Sequence, residues 1–145
     1  MISIKLLGRP VITQEEKNIH IPRRKSRALL FYTAAHSQPA SREDLLVLLW
    51  PDLPRASALQ TLRTSLYNLR QVLEDAILVD SSNLSLTDQI EVDAVAFLTG
   101  MKDAGDRIEA LEKALSLYTG EFLHGFYLPE SAAFENWLNM ERERY

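Results

Sequence analysis

One amphipathic segment constrains this chain more than any other feature. Between Arg55 and Glu74, five leucines recur at intervals of 3, 4, 3 and 4 residues, at positions 59, 62, 66, 69 and 73. This spacing follows the period of an α-helix and places all five side chains on one face. The segment therefore predicts a helix whose leucine face packs on a protein core, while its opposite face meets solvent or a partner.

The outer face of this helix has a distinctive composition. At 100° per residue, the side opposite Leu66 carries hydroxyl and amide groups, with Arg63 and Tyr67 at its flanks. Its members are Ser57, Gln60, Thr61, Thr64, Asn68 and Gln71. Solvated helix faces are common, but they favour Glu, Lys and Arg, whereas Ser, Thr and Asn cost helix propensity. No acidic residue occurs from position 53 to position 73, which favours a face that meets an anion.

The segments around this helix give the element order of a winged helix. Alternating apolar residues predict short antiparallel strands within residues 2–22, and a helical period follows over Arg23–Ser37. A second helix is predicted from the N-cap Ser41 to Trp50. After the long helix, two apolar runs flank the polar turn 80–83 and predict a hairpin over 77–87. The fold class is thus mainly α with small β-sheets, arranged as a winged helix-turn-helix.

The remainder of the chain is predicted to be helical. A short strand at Ile90–Val92 precedes Asp93, which is expected to be the N-cap of a helix through Met101. Further helices are predicted over Asp106–Thr119 and Ser131–Tyr145, and the second of these is expected to bury its aromatic residues. We therefore expect two units, a winged helix over 1–92 and a helical segment over 93–145.

Charge is divided unevenly between these units. Residues 1–75 hold 11 basic and 7 acidic residues, a net +4, while residues 76–145 hold 5 basic and 13 acidic residues, a net −8. This asymmetry favours a basic working surface joined to an acidic module. There are no cysteines, metal-binding histidine spacings or phosphate-binding glycine loops. We expect no enzyme activity, no catalytic residue, no cofactor and no metal. The absence of a long apolar run predicts a cytoplasmic protein without a membrane partner.

Several motifs in order resemble the antibiotic-regulatory-protein (SARP) family of bacterial transcription activators. In the first half they are RKSRALL (24–30), SREDL (41–45), LWPD (49–52), ALQTLR (58–63) and LRQVL (69–73). In the second half, ALSLYTGEFL (114–123), Trp137 and ERER (141–144) resemble the start of the bacterial transcriptional activation domain (BTAD). The resemblance covers nearly the whole chain.

The resemblance implies an OmpR/PhoB-type winged helix followed by a TPR-like helical module, which we expect to be truncated here. It implies sequence-specific binding to double-stranded promoter DNA, with recognition helix 56–74 in the major groove and wing 77–87 on the adjacent groove or backbone. Direct repeats, a homodimer on DNA, RNA polymerase as partner and association with the nucleoid are further expectations. One departure is that Tyr67 and Asn68 stand where OmpR-type helices usually carry basic residues.

Two sets of residues are expected to contact DNA. Amides pair well with adenine and arginine with guanine, so the candidates for base reading are Gln60, Arg63, Thr64, Tyr67 and Asn68. The candidates for phosphate contact are Arg23, Arg24, Lys25, Arg42, Arg55, Ser57, Thr61, Arg70 and Asn83. The alternative function is a protein-interaction scaffold that uses the winged-helix fold without specific DNA binding.

Overall fold

The secondary structure follows the predicted order closely. The computed structural model of the chain describes residues 1–36 and 38–145. The elements in chain order are β1 (Ile2–Lys5), β2 (Val11–Gln14), β3 (Lys17–Ile19), α1 (Arg24–Ala35), β4 (Ala40–Ser41), α2 (Arg42–Leu49), α3 (Arg55–Leu73), β5 (Ile77–Val79), β6 (Asn83–Leu86), β7 (Ile90–Val92), α4 (Asp93–Ala104), α5 (Ile108–Leu115) and α6 (Ala132–Arg144). A 3₁₀ turn over Glu74–Ala76 joins α3 to β5.

The N-terminal strands form the expected antiparallel sheet with one addition. Its strand order is β3-β2-β1-β7, and β7 runs parallel to β1, with Ile2 opposite Ile90 and Ile4 opposite Val92. Because side chains alternate across a sheet, Ile2, Ile4 and Ile12 all face the core and are buried. The sheet thus joins the two ends of the winged helix, through strands about 90 residues apart in sequence.

The helix boundaries in this part agree with the capping signals. The hydroxyl of Ser41 accepts a hydrogen bond from the N–H of Asp44 at 3.0 Å, as predicted for an N-cap. The first helix, α1, ends at Ala35, and the predicted end at Ser37 lies outside the described residues.

The predicted hairpin forms the wing. Strands β5 and β6 pair antiparallel, and β4 adds a third strand beside β6. The carboxylate of Asp80 accepts hydrogen bonds from the N–H groups of Ser82 and Asn83 at 2.7 and 2.6 Å. These bonds lower the pKa of Asp80. The Arg42 N–H donates to the Ser82 carbonyl at 2.8 Å, so the tip of the wing is fixed to the start of α2.

Two predictions for the C-terminal segment are wrong in detail. The first is the extent of one helix, which was expected over Asp106–Thr119 and spans only Ile108–Leu115. Beyond it, the Thr119 hydroxyl donates to the Leu7 carbonyl at 2.5 Å, and Phe122 pairs with Leu7 in an antiparallel bridge. These long-range bonds draw the chain out of the helix and toward the N-terminal sheet.

The second wrong prediction concerns Asp93, which was expected to be the N-cap of α4 and is not. It is the first residue of α4, and the N-cap position belongs to Val92. Its carboxylate accepts hydrogen bonds from the N–H groups of Leu6 and Leu7 at 2.6 and 3.0 Å, and of Ala94 at 2.7 Å. The side chain therefore clamps the end of β1 to the start of α4.

One hydrophobic core runs through both predicted units. Phe134 and Leu138 of α6 are fully buried in the same cluster as the leucines of α2 and α3. The Phe31 and Phe126 rings meet edge to face at 5.3 Å, and the Ser131 hydroxyl donates to the Leu48 carbonyl at the end of α2. The expected burial of aromatic residues is confirmed for Phe134. The boundary at residue 92 and the TPR-like character of 93–145 stay predictions.

Within residues 1–36 and 38–145, no helix combines the length and the apolar character that a membrane crossing requires.

Replacing Asp93 with Asn should destabilise the fold. Asn offers only one carbonyl oxygen to the amides of Leu6, Leu7 and Ala94, and its NH₂ group would face N–H donors. We therefore expect the free energy of unfolding to fall by about 1–3 kcal/mol. Urea denaturation of the variant measures it. Asp88→Asn, at an exposed position in the turn before β7, is the control, and equal effects of the two substitutions would contradict the clamp.

Asp93 should also give stability a dependence on pH. Burial raises the pKa of its carboxyl above the ordinary value, against the opposing effect of the three amide bonds. Between the ordinary and the raised pKa, the folded chain holds a proton that the unfolded chain has released. The contribution of Asp93 to the free energy of unfolding therefore falls as pH rises through that window. The Asp93→Asn variant should lack this component.

Candidate nucleic-acid interface

The inner face of α3 is fixed as the leucine spacing predicts. Leu62 and Leu69 are fully buried, and Leu66 and Leu73 are nearly so. Leu59 lies at the edge of this stripe and is half-buried. Burial of large aliphatic side chains contributes about 1.5–3 kcal/mol each, so the rotation of α3 about its own axis is strongly determined.

The opposite face of α3 is open to solvent. Gln60, Arg63, Thr64 and Tyr67 are exposed, and Tyr67 keeps 64% of its surface accessible. These four positions follow the i, i+3, i+4, i+7 spacing that forms one stripe along a helix. The other exposed members of this face are Ser57 and Gln71, and the neighbouring Arg70 is exposed too, whereas Thr61 and Asn68 are half-buried. Most of the sequence-predicted reading face is therefore accessible.

Two hydroxyls on this face have partners within the helix. Thr61 donates to the Ser57 carbonyl at 2.9 Å and Thr64 to the Gln60 carbonyl at 3.0 Å. A threonine bonded in this way keeps its oxygen lone pairs as acceptors. In this state Thr64 offers an acceptor to a base edge, while Thr61 must give up its bond to the Ser57 carbonyl before its hydroxyl can donate to a phosphate.

A groove of about 660 Å³ separates the C-terminal half of α3 from the wing. Arg42, Arg63, Tyr67 and Arg70 all line it, so the fold brings together four predicted site residues from two helices. Val79 of β5 forms the wing side. Three guanidinium groups in one concave surface concentrate positive potential there.

Acidic groups and the wing mark the limits of this groove. Glu74 and Asp75 line it where α3 passes into the 3₁₀ turn. Asn83, the wing candidate for phosphate contact, is half-buried in β6 and is paired with Ser41 of β4. The positive part of the groove therefore lies on the side of Arg42 and Arg63.

Lys25 has a structural partner. Its ammonium donates to the Leu49 carbonyl at 3.1 Å, at the C-terminal end of α2, and lies 5.9 Å from the Trp50 ring. A helix C-terminus favours a cation. This contact gives the positive charge at the start of α1 a favourable partner within the chain.

Arg55 also has a partner within the chain. Its guanidinium binds both carboxylate oxygens of Glu43, at 2.7 and 2.5 Å. The hydrogen bond from Arg55 lowers the pKa of Glu43. Arg23 and Arg24, at the same end of α1 as Lys25, are exposed. Among the cationic phosphate candidates, Lys25 and Arg55 therefore have side-chain partners within the described part of the chain.

The role of Glu43 was not predicted from the sequence, because its partner Arg55 is 12 residues away, across the break between α2 and α3. No periodic signal reports such a pair. The role of Asp80 in the turn could have been predicted, because an Asp followed by Ser-Ser-Asn is a strong turn signal. Within the described residues, no group of three or more His, Asp or Glu side chains could hold a metal ion.

Comparison with known proteins identifies the fold. No family model matches the sequence, and no curated protein matches it. A structure of EmbR from Mycobacterium tuberculosis, in complex with a low-affinity phosphopeptide, is similar over 99% of this chain, with a TM-score of 0.77 and 20% identity. The chain spans 42% of that EmbR chain. This structural similarity confirms the predicted winged-helix fold.

Proposed function

We propose that this chain is a transcription regulator of the antibiotic-regulatory-protein family, the family to which EmbR belongs, and that it binds double-stranded DNA sequence-specifically. The observation that carries the proposal is the outer face of α3. It is exposed and free of acidic residues, and it is backed by a buried leucine stripe. Shared fold with EmbR supports the architecture of this proposal.

In this proposal α3 enters the major groove, whose width of about 12 Å admits one helix. Gln60 and Asn68 pair with adenine edges, Arg63 pairs with guanine, and the exposed Tyr67 ring contacts a thymine methyl group. The wing then follows the adjacent groove or backbone. Arg42 and Arg70, in the groove beside the wing, bind the phosphates that flank the bases being read.

Further parts of the proposal come from the family resemblance alone. They are activation through RNA polymerase, two protomers on direct repeats, and a cytoplasmic, nucleoid-associated location. A single winged helix buries limited DNA surface, which agrees with a need for a second protomer.

The alternative is a protein-interaction scaffold. It draws support from α5, where Ile108 and Leu115 remain 70% and 52% exposed. Exposed apolar residues on a helix of an acidic segment suit a protein partner. The two functions differ in how binding responds to salt and to DNA sequence.

Binding to DNA should depend steeply on salt. With about four to six phosphates neutralised, log K should fall with log[salt] at a slope of about −4 to −5. Fluorescence anisotropy measures this on a duplex selected from a random library and on a scrambled duplex. The selected duplex should bind tighter at each salt concentration. Equal, weak binding to both would support the scaffold instead.

Substitutions in α3 and α1 should separate base reading from phosphate contact. Arg63→Ala should weaken binding to the selected duplex by about 1–3 kcal/mol and relax the choice of base at one position. Arg24→Ala should weaken binding to selected and scrambled duplexes alike, because phosphates carry no sequence information. If both variants act equally on both duplexes, α3 does not read the bases.

Removing the Glu43 charge should strengthen binding. Glu43 holds Arg55 and places a carboxylate beside the start of α3. Glu43→Gln should therefore tighten binding to all duplexes and make the salt slope more negative by about 1, as one more cation meets a phosphate. The gain should disappear when Arg55→Ala is added.

Glu109→Gln is the matched control for this variant. It removes the same charge from α5, on an exposed residue, and should change affinity little at physiological salt, because distant charges are screened. An equal gain in both variants would mean that only net charge matters, and would contradict a specific role for Glu43.

A further inference from the structure

A cationic cavity lies apart from the outer face of α3. It has a volume of about 550 Å³ and forms where β2, β3, α1 and the loop 124–126 meet. Arg9, His20, Arg27 and His124 line it, and no lining residue is acidic. The chain as a whole has 20 acidic and 16 basic residues. Two arginines and two of the three histidines therefore share one cavity without a neutralising carboxylate in its wall.

Arg27 is the most constrained of these groups. Its Nε is buried and has no hydrogen-bond partner among the described residues. The guanidinium carbon lies 5.8 Å from the centre of the Phe126 ring. A buried donor of a charged group without an acceptor costs free energy. An anion in the cavity would supply the missing acceptor for this side chain.

The backbone around the cavity is held in place by long-range hydrogen bonds. The His124 N–H donates to the Gly8 carbonyl at 2.9 Å, and the Leu123 N–H donates to the Leu6 carbonyl at 2.7 Å. Gly125 has a φ of +78°, which turns the chain back toward Phe126. The loop that carries His124 is thus fixed to the segment before Arg9, and a preformed site of this kind loses little entropy on binding.

The rest of the wall is mixed, since the amide of Asn18 lies among apolar side chains. Phe31 and Phe126, in edge-to-face contact at 5.3 Å, line the cavity but are nearly buried, whereas Pro10 and Ile19 are partly exposed. Its volume lies within the range of about 300–1,000 Å³ typical of small-molecule sites. A bare inorganic anion would leave most of this space, and the partly exposed side chains of Pro10 and Ile19, unused. The lining therefore suits a ligand with an anionic head and an apolar body.

We propose that this cavity binds a small organic anion, a carboxylate or a phosphate ester, with an aromatic or aliphatic body. Arg27 and Arg9 hold the anionic head, and the imidazoles of His20 and His124 add hydrogen bonds. The apolar body packs on Pro10 and Ile19. The site does not depend on DNA binding, since none of these residues belongs to α3 or to the wing.

The test uses four probes at constant ionic strength, namely phenyl phosphate, benzoate, inorganic phosphate and the neutral benzyl alcohol. Nuclear magnetic resonance of the ¹⁵N-labelled chain follows the amides of Arg9, His20, His124 and Gly125. Phenyl phosphate or benzoate should give saturable shifts at these amides, with a Kd about tenfold or more below that of inorganic phosphate and of benzyl alcohol. Whichever of the two aromatic anions has the lower Kd shows which head group the cavity prefers.

Three variants make the assignment specific. Arg27→Gln should raise the Kd about tenfold or more, because a charged hydrogen bond is lost. Arg9→Gln, at an exposed position that is safe for folding, should raise it about two- to threefold, as expected for a screened charge. Lys102→Gln removes a positive charge from the exposed surface of α4 and should leave the Kd unchanged.

Shifts that fail to saturate, or that benzyl alcohol produces equally, would overturn the proposal. So would a Kd that is the same in wild type, Arg27→Gln and Arg9→Gln. If the spectrum of Arg27→Gln shows an unfolded chain, the Kd of Arg9→Gln is compared with that of Lys102→Gln. Equal values in these two variants would then overturn the proposal.

Discussion

The burial of the α3 leucines is the interaction on which the rest of the structure depends. Leu62 and Leu69 are fully buried, and they belong to the same core as Ile4 of the N-terminal sheet and Phe134 of α6. A helix held along one stripe cannot rotate, so its outer stripe is presented in one orientation. The exposure of Gln60 and Thr64 follows directly from this packing. The proposed recognition of DNA by these small neutral side chains requires a rigid frame, and the shared core provides one.

Local signals predicted much of this arrangement. The leucine period gave both the extent of α3 and its inner face, and the Ser41 cap and the wing hairpin were each encoded within a few residues. What could not be predicted arises from contacts across the fold. The parallel pairing of β7 with β1 and the contact of Asp93 with Leu6 join residues almost 90 positions apart. Such contacts also shortened the helix expected to reach Thr119, because a tertiary bond to Leu7 replaced a local one.

The candidate site shows the same division. The spacing of α3 predicted most of its outward side chains, although Thr61 and Asn68 are half-buried. It was not sufficient to predict which cations are available, because availability depends on neighbours brought together by the fold. Lys25 lies on the C-terminal end of α2, and Arg55 on a carboxylate from the preceding helix. Residue type and position alone cannot distinguish these two from Arg24 or Arg42.

The net charge of +4 over residues 1–75 therefore overstates the positive charge available near the outer face of α3. Besides Lys25 and Arg55, Arg9 and Arg27 lie in a separate cavity at the sheet. In the acidic segment, Arg142 is bound by the carbonyls of Phe122 and Leu123 and by Glu121. What remains near α3 and the wing is chiefly Arg42, Arg63 and Arg70 in one groove. In the proposed complex with DNA, these few cations beside the neutral outer face of α3 would favour discrimination between sequences over tight attachment to any duplex. On that proposal, base edges and a second protomer would supply the affinity that phosphates do not.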